Sequence, residues 1–222
     1  MIDVMEGIDK IMVYGNQIAS PEHEELFKQY DTVHGWFRIE GGRHLYNFAK
    51  NPYVPGICVE IGNFKGKSTM FMGLGAKAAG TEVLAIDPHP RSIADEFNKG
   101  VRTLPEFFEN IIKYNMENTI IPVVARSDLV MGPFDPEYAE IKLLHIDGEH
   151  TTEAVAMDGD WLDYVAPGGV VRYDDCNIPE VKEGMDLTIR ELVDFVELEP
   201  GYFVRIFNTV TRDNLWWKHW EK

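Results

Sequence analysis

The chain has 222 residues, 45% hydrophobic and 12% aromatic, which suits one α/β core with room for a small N-terminal addition and argues against disorder. Lysine and arginine total 21 against 37 aspartate and glutamate; the net charge of −16, with no basic run to offset it, disfavours nucleic acid and anionic lipid as partners. Cys58 and Cys176 stand far apart with no Cys-x-x-Cys pair. No basic-then-apolar leader or membrane-length apolar run is present, so a reduced, cytoplasmic protein is expected.

In chain order, Ile, Val and Met in residues 2–18 fit an amphipathic helix. Ser20-Pro21-Glu22 opens a second helix with an N-cap serine, a first-turn proline and acids at the positive dipole end. A third helix is expected over about 40–50, so residues 1–50 read as a helical cap preceding a main domain at 51–222. Strands are expected at 57–61, 82–86, 120–125, 141–146 and 170–173. Helices are expected at about 67–79, closed by Gly80, then from 103 onward, at 152–165 and at 181–198. Residues 91–102 read as an exposed loop, and 202–210 with 215–220 as a closing antiparallel hairpin. Trp216, Trp217 and Trp220 suit packing or a subunit contact, which leaves a homo-oligomer open, and Lys65 and Lys67 are expected in solvent. The alternation predicts a doubly wound, Rossmann-like α/β fold with seven mostly parallel strands and an antiparallel last strand.

Polar residues gather at one place in this pattern. Glu60 to Gly66, Asp87, Ser127-Asp128, Asp147 to His150 and Asp174-Asp175 all follow the C-terminal ends of predicted parallel strands, the edge where open α/β sheets bind ligands. Gly66-Lys67-Ser68 resembles the end of a phosphate loop. That loop needs four residues between its first glycine and Gly-Lys-Ser/Thr, whereas Gly62 and Gly66 enclose three. An adenosyl cofactor is the better reading: the glycines let backbone approach closely, Asp87 can accept ribose hydroxyls, and Glu60 and Ser68 can address an amino-acid moiety. A dinucleotide site begins similarly.

At Val59–Thr69, Ile146-Asp147-Gly148-Glu149-His150 and Pro167–Asp175 the chain resembles the class I S-adenosylmethionine-dependent methyltransferases. More narrowly, it resembles the small divalent-metal-dependent O-methyltransferases acting on catechols and on macrolide or aminocoumarin sugars. The resemblance runs over about residues 35–220. It implies that Glu60, Gly62, Phe64, Gly66 and Ser68 surround the methionine part, that Asp87 holds the ribose, and that Ser127 and Asp128 lie by the adenine. It also implies that Asp147, Asp174 and Asp175 bind Mg²⁺ or a similar cation, with Asp147 facing the cofactor as well.

The residue chemistry agrees, since three carboxylates leave room for substrate oxygens on a hard dication, which lowers the pKa of a coordinated hydroxyl. His150 is the first candidate for general base and Glu149 the second. The expected reaction is methyl transfer to a hydroxyl of a small acceptor, a sugar or natural-product-like molecule, bordered by residues 30–43 and 91–102. Against this stand plainer readings: Asp174-Asp175 as a solvated turn, His150 without a role, and Glu149 as a dipole partner of the following helix. Two other functions stay open, a related metal-dependent hydroxylase, for which no two-histidine, one-carboxylate set is evident, and a cofactor-binding module without catalysis.

Overall fold

The computed structural model describes residues 11, 13–52, 54–89, 103–131, 140–189, 192 and 194–205. Helices α1 (Pro21–Tyr30) and α2 (Ile39–Lys50) precede strand β1 (Ile57–Ile61), helix α3 (Lys67–Ala79) and strand β2 (Val83–Ile86). Helix α4 (Thr103–Lys113), strand β3 (Ile120–Val123), the short helix α5 (Ser127–Met131) and strand β4 (Ile141–Ile146) follow. Helix α6 (Thr152–Asp158) runs into a 3₁₀ helix (Gly159–Tyr164), strand β5 (Val165–Tyr173) and helix α7 (Pro179–Asp186); strands β6 (Phe195–Glu199) and β7 (Tyr202–Arg205) end the described chain.

The seven strands form one sheet in the order β3-β2-β1-β4-β5-β7-β6. Strands β1 to β5 pair in parallel, and β7 inserts antiparallel between β5 and β6. This is the expected doubly wound sheet with its reversed last strand. Successive strand residues alternate between two cores. Cys58, Val83, Ala85, Leu143, Val170 and Val204 face a core completed by α1 to α4, whereas Val59, Leu144, Val171 and Phe203 face α6, the 3₁₀ helix and α7.

The N-terminal helices are built into the first core. Ser20 caps α1 by accepting a hydrogen bond from the His23 amide at 3.3 Å. Phe27 and Tyr30 of α1 then meet Phe71 of α3 with ring centroids 5.3 and 5.5 Å apart. Small residues let α2 and α3 close up: a side-chain carbon at Gly42 would stand 2.5–2.7 Å from the Phe71 ring, and one at Gly75 would stand 2.9 Å from Ala49. Full burial of an aromatic such as Phe71 stabilises by roughly 1.5–3 kcal/mol, so these contacts tie the cap to the sheet. Among the described residues, no helix is long and apolar enough to cross a membrane.

Several expectations are corrected. The helix expected over 152–165 ends at Asp158, and the chain tightens to 3₁₀ geometry from Gly159, which lies close against Thr188: an added carbon would stand 2.6 Å away. Strand β5 begins at Val165 rather than 170. Val165 pairs with Ile141 and Val170 with Leu143, so the proline–glycine stretch is a bulge within the strand. The helix expected over 181–198 stops at Asp186, and Phe195-Val196-Glu197-Leu198-Glu199 pairs with β7 as strand β6. The observed hairpin is therefore β6–β7, turning at Gly201 with φ 82°. Of Phe107, Phe108, Ile111 and Ile112, whose spacing predicts one apolar face on α4, only Phe107 and Ile111 are buried; Phe108 and Ile112 are exposed. Lys65 and Lys67 are not solvated, because nearby acids compensate their burial: Lys65 pairs with Glu106 at 2.7 Å and Lys67 with Asp31 at 2.9 Å. Residues 1–10, 91–102 and 206–222, with the expectations placed on them, lie outside the described residues.

Candidate active site

Beyond β1 the backbone turns through Gly62 with φ 83°, Phe64 with φ 47° and Gly66 with φ 88° before α3 begins at Lys67. A side-chain carbon at Gly62 would fall onto the Asp147 carbonyl, 2.5 Å from its carbon and 2.7 Å from the Gly148 Cα, so glycine lets the turn lie against the end of β4. Left-handed φ is uncommon outside glycine. Of the four such residues among those described, Phe64, His89 and Asp175 all follow strand ends at this edge.

The Asp87 carboxylate, at the end of β2, accepts the amides of Asn63 (3.0 Å), Phe64 (2.8 Å) and His89 (2.7 Å). It thereby pins the glycine turn to β2. Sequence reasoning assigned Asp87 to a ligand and missed this bracing role, and it passed over His89, whose ring is buried between Phe107 and the Thr103 hydroxyl at 2.8 Å. Inside the turn, Asn63 is buried with neither side-chain amide atom hydrogen-bonded, and Oε1 of the buried Glu60 also lacks a hydrogen bond, with His145 Nε2 3.9 Å away. The other Glu60 oxygen accepts the Thr69 hydroxyl. Burial pushes the Glu60 carboxyl up to about 8, reinforced by Asp147 and Asp87 and opposed by Ser68 and Thr69.

Asp147, just past β4, is shared by two groups of possible ligands: one joins it to Asp174 and His145, the other to Asp175 and His150. His150 Nε2 lies 3.8 Å from Asp147 Oδ1 and 3.5 Å from Asp175 Oδ2. At these distances the contacts are ionic rather than hydrogen bonds, and Asp147 foremost, then Asp175 and Asp174, raises the His150 pKa against its burial. Asp147 is itself pushed up to about 7, first by burial and then by the charges of Asp174 and Asp175, while His150 and Arg172 pull the other way. Burial works upward on Asp174 too, but Arg172, with His145, holds it below the usual carboxylate range. Two overlapping sets, His145–Asp147–Asp174 and Asp147–His150–Asp175, each keep their ligand atoms within 4.8 Å of one another.

The other predicted residues are placed differently. Glu149 is exposed, and its charge bears on Arg126 and Asp158 rather than on His150. Ser127 donates its hydroxyl to Asp158, a buried acid that the sequence reading overlooked and that burial pushes up to about 6. Asp128 is held by Arg126 through two hydrogen bonds of 3.0 Å. Ser68 is buried in the first turn of α3 beside Glu60. His145 and Arg172 were also missed, although a charged or imidazole side chain inside strands buried on both faces signals a need for partners. An open groove of 470 Å³ lies past Asp175, lined by Cys176, Lys182, Met185 and the Glu197–Gly201 stretch. The phosphate alternative loses its lysine, because the Lys67 ammonium is engaged with Asp31.

Solved structures share this fold. The O-methyltransferase NovP aligns with a TM-score of 0.63 at 17% identity, over 92% of this chain and 100% of its own. SAH-bound methyltransferase PaMTH1 of Podospora anserina gives 0.60 at 14%, over 92% and 96% of the two chains. SAM-bound O-methyltransferase TomG of Streptomyces achromogenes, involved in tomaymycin synthesis, gives 0.59 at 14%, over 89% and 96%. A methyltransferase-domain family model matches residues 59–176, more than half of the 222 and the span from β1 through the paired aspartates, and on that match the chain belongs to the methyltransferase domain family.

Proposed function

We propose that the chain is an O-methyltransferase that moves the methyl group of S-adenosylmethionine to a hydroxyl of a small acceptor, aided by Mg²⁺ or a similar cation. One observation carries the reading: a glycine turn with buried polar atoms that lack hydrogen-bond partners stands beside two overlapping sets, His145–Asp147–Asp174 and Asp147–His150–Asp175, at the same sheet edge. The fit to the cofactor is chemical. Glu60 Oε1 and the Asn63 amide offer acceptor and donor atoms to an ammonium and a carboxylate, and a cation arriving beside Glu60 favours loss of its proton. Asp87 retains lone pairs for ribose hydroxyls while bracing the turn, and Gly62, Phe64, Gly66 and Ser68 shape the same wall. Ser127 and Asp128 border the adenine side. SAM- and SAH-bound relatives of the same fold support this choice.

The acids fit a dication equally well. Asp147, Asp174 and Asp175 are oxygen donors, and their mutual repulsion is what raises Asp147 beyond the effect of burial. When bound, S-adenosylmethionine supplies an electrophilic methyl group and Mg²⁺ acidifies a coordinated hydroxyl. The chain aligns the reactants: the glycine turn fixes one, the aspartates orient the other, and most of the acceleration comes from that alignment. His150 Nε2 takes the hydroxyl proton, since its ring lies within 4 Å of two of the acids. Glu149, exposed and without an effect on His150, is the weaker candidate. A natural-product-like acceptor is supported by the O-methyltransferase of the same fold that is involved in tomaymycin synthesis. We place the protein in the cytoplasm.

The test is transfer of a labelled methyl group from S-adenosylmethionine to a panel of sugar and phenolic hydroxyls, with EDTA and with Mg²⁺ restored. Transfer abolished by EDTA and recovered by Mg²⁺ is expected. Transfer indifferent to EDTA refutes the metal part, and transfer to nitrogen acceptors alone refutes the hydroxyl part.

A further inference from the structure

Four polar residues form a row across the middle of the sheet. Glu60 of β1 pairs in register with His145 of β4, His145 with Arg172 of β5, and Arg172 with Tyr202 of β7. All four are at most 9% exposed and share one face, among the apolar residues of the first core. Two residues further along the same face stand Asp147 just past β4 and Asp174 just past β5, so the row is the floor beneath the acids.

Arg172 is the fixed point of that floor. Its Nε donates to the Tyr202 hydroxyl at 2.6 Å, Nη2 donates to Asp174 Oδ1 at 2.9 Å, and Nη1 lies 3.4 Å from the His145 ring nitrogens. The guanidinium sits 4.7 Å over the Phe37 ring and 5.3 Å from the Tyr202 ring centre. Tyr202 is in turn met by His44 Nδ1 at 3.2 Å. A planar fork packed on the Phe37 ring and hydrogen-bonded to the Tyr202 hydroxyl has little freedom left, and its direction decides where Asp174 points.

We infer that Arg172 is the positioning residue of the acid cluster, clamped by Tyr202 and Phe37 so as to hold Asp174 Oδ1 in place for cation binding. The assignment rests on the metal reading proposed above. Two effects of Arg172 oppose each other, which makes the idea testable. As a nearby positive charge it repels a dication, so electrostatics alone predict tighter metal binding once it is removed. As a positioner it preorganises a ligand, and losing such a supporting partner typically weakens metal binding about 10–100-fold. We assign dominance to positioning.

The test is Mn²⁺ binding, read by calorimetry and by the electron paramagnetic resonance signal of free Mn²⁺, on wild type, R172Q and Y202F, with S-adenosylhomocysteine binding measured beside it. R172Q is expected to bind Mn²⁺ at least about tenfold more weakly while its S-adenosylhomocysteine affinity stays within about threefold. Y202F keeps the guanidinium but frees its Nε, so a smaller loss in the same direction is expected. Unchanged or tighter Mn²⁺ binding in R172Q overturns the assignment, and so does an equal loss of both ligands, which marks a merely structural role. Should R172Q fail to fold, Y202F decides: a selective Mn²⁺ loss supports positioning, and no loss or a shared loss overturns it. A wild type that binds S-adenosylhomocysteine but takes up no Mn²⁺ refutes the metal reading and the assignment together, whereas failure in the variants alone refutes only the assignment.

Discussion

Gly62→Ala and Gly80→Ala form a matched pair. Both glycines hold left-handed φ, 83° and 69°, so alanine costs each about 1–2 kcal/mol of backbone strain. They differ in what the new methyl group meets. At Gly80, the end of α3, nothing lies within 4 Å; at Gly62 the carbon lands against the Asp147 carbonyl, 2.5 Å from its carbon, and against the Gly148 Cα at 2.7 Å. Backbone cannot rotate aside as a side chain can, and relieving such overpacking costs a further ~1–3 kcal/mol or more. Urea unfolding should therefore place Gly80→Ala about 1–2 kcal/mol below wild type and Gly62→Ala about 2–5 kcal/mol below it. Because relief at Gly62 pushes Asp147 away from the turn, Gly62→Ala should also lose S-adenosylhomocysteine and Mn²⁺ binding, which Gly80→Ala keeps. Equal stability loss in the two variants, at equal m-values, would refute the close apposition of turn and acid that the site depends on.

Three further outcomes are expected. His150→Ala should lower kcat by about 10²–10⁴ with S-adenosylhomocysteine binding preserved, and a fall below threefold would remove His150 from the proton transfer. Glu60 has a folded pKa of about 8 against an ordinary 4.5, so the native state keeps a proton that the unfolded chain has released between those values. The ligand-free protein should accordingly lose stability as pH rises through that window, by up to about 1.4 kcal/mol per pH unit. Thermal melts of Glu60→Gln should lack this slope; an identical slope in the variant contradicts the shift. Asp87→Ala leaves the amides of Asn63, Phe64 and His89 without their acceptor. It should cost on the order of 3 kcal/mol in unfolding free energy as well as cofactor affinity, and a loss of affinity at full stability would mean that Asp87 does not brace the turn.

The sheet was legible because β1 to β4 are short apolar runs separated by helical patterns, and Gly80 marked the end of α3 through the same left-handed φ that the structure shows. Strand β6 was not, since Glu197, Leu198 and Glu199 are as acceptable in a helix as in a strand, and pairing with β7 decided the matter. Residues 167–169, ahead of the strand expected at 170–173, suit a turn for a similar reason: local Pro and Gly preferences carry no information about the Val165–Ile141 pairing upstream. At the site, one-dimensional reasoning collected the strand-end acids through a shared position in the α/β pattern. It could not see which acids already have partners. Asp87 is engaged with backbone, Asp128 with Arg126, and Asp174 with Arg172. Such partnerships depend on which residues stand opposite in register, as His145 and Arg172 do, and register is a property of the assembled sheet.

The central claim is that the turn after β1 seats the methionine and ribose parts of an adenosyl cofactor. Calorimetric titration of the wild-type protein with S-adenosylhomocysteine, run beside an identical titration with ATP, tests it most directly. Saturable binding of S-adenosylhomocysteine at one site per chain, and none of ATP, is expected; no binding of S-adenosylhomocysteine, or binding of ATP in its place, would contradict the cofactor assignment.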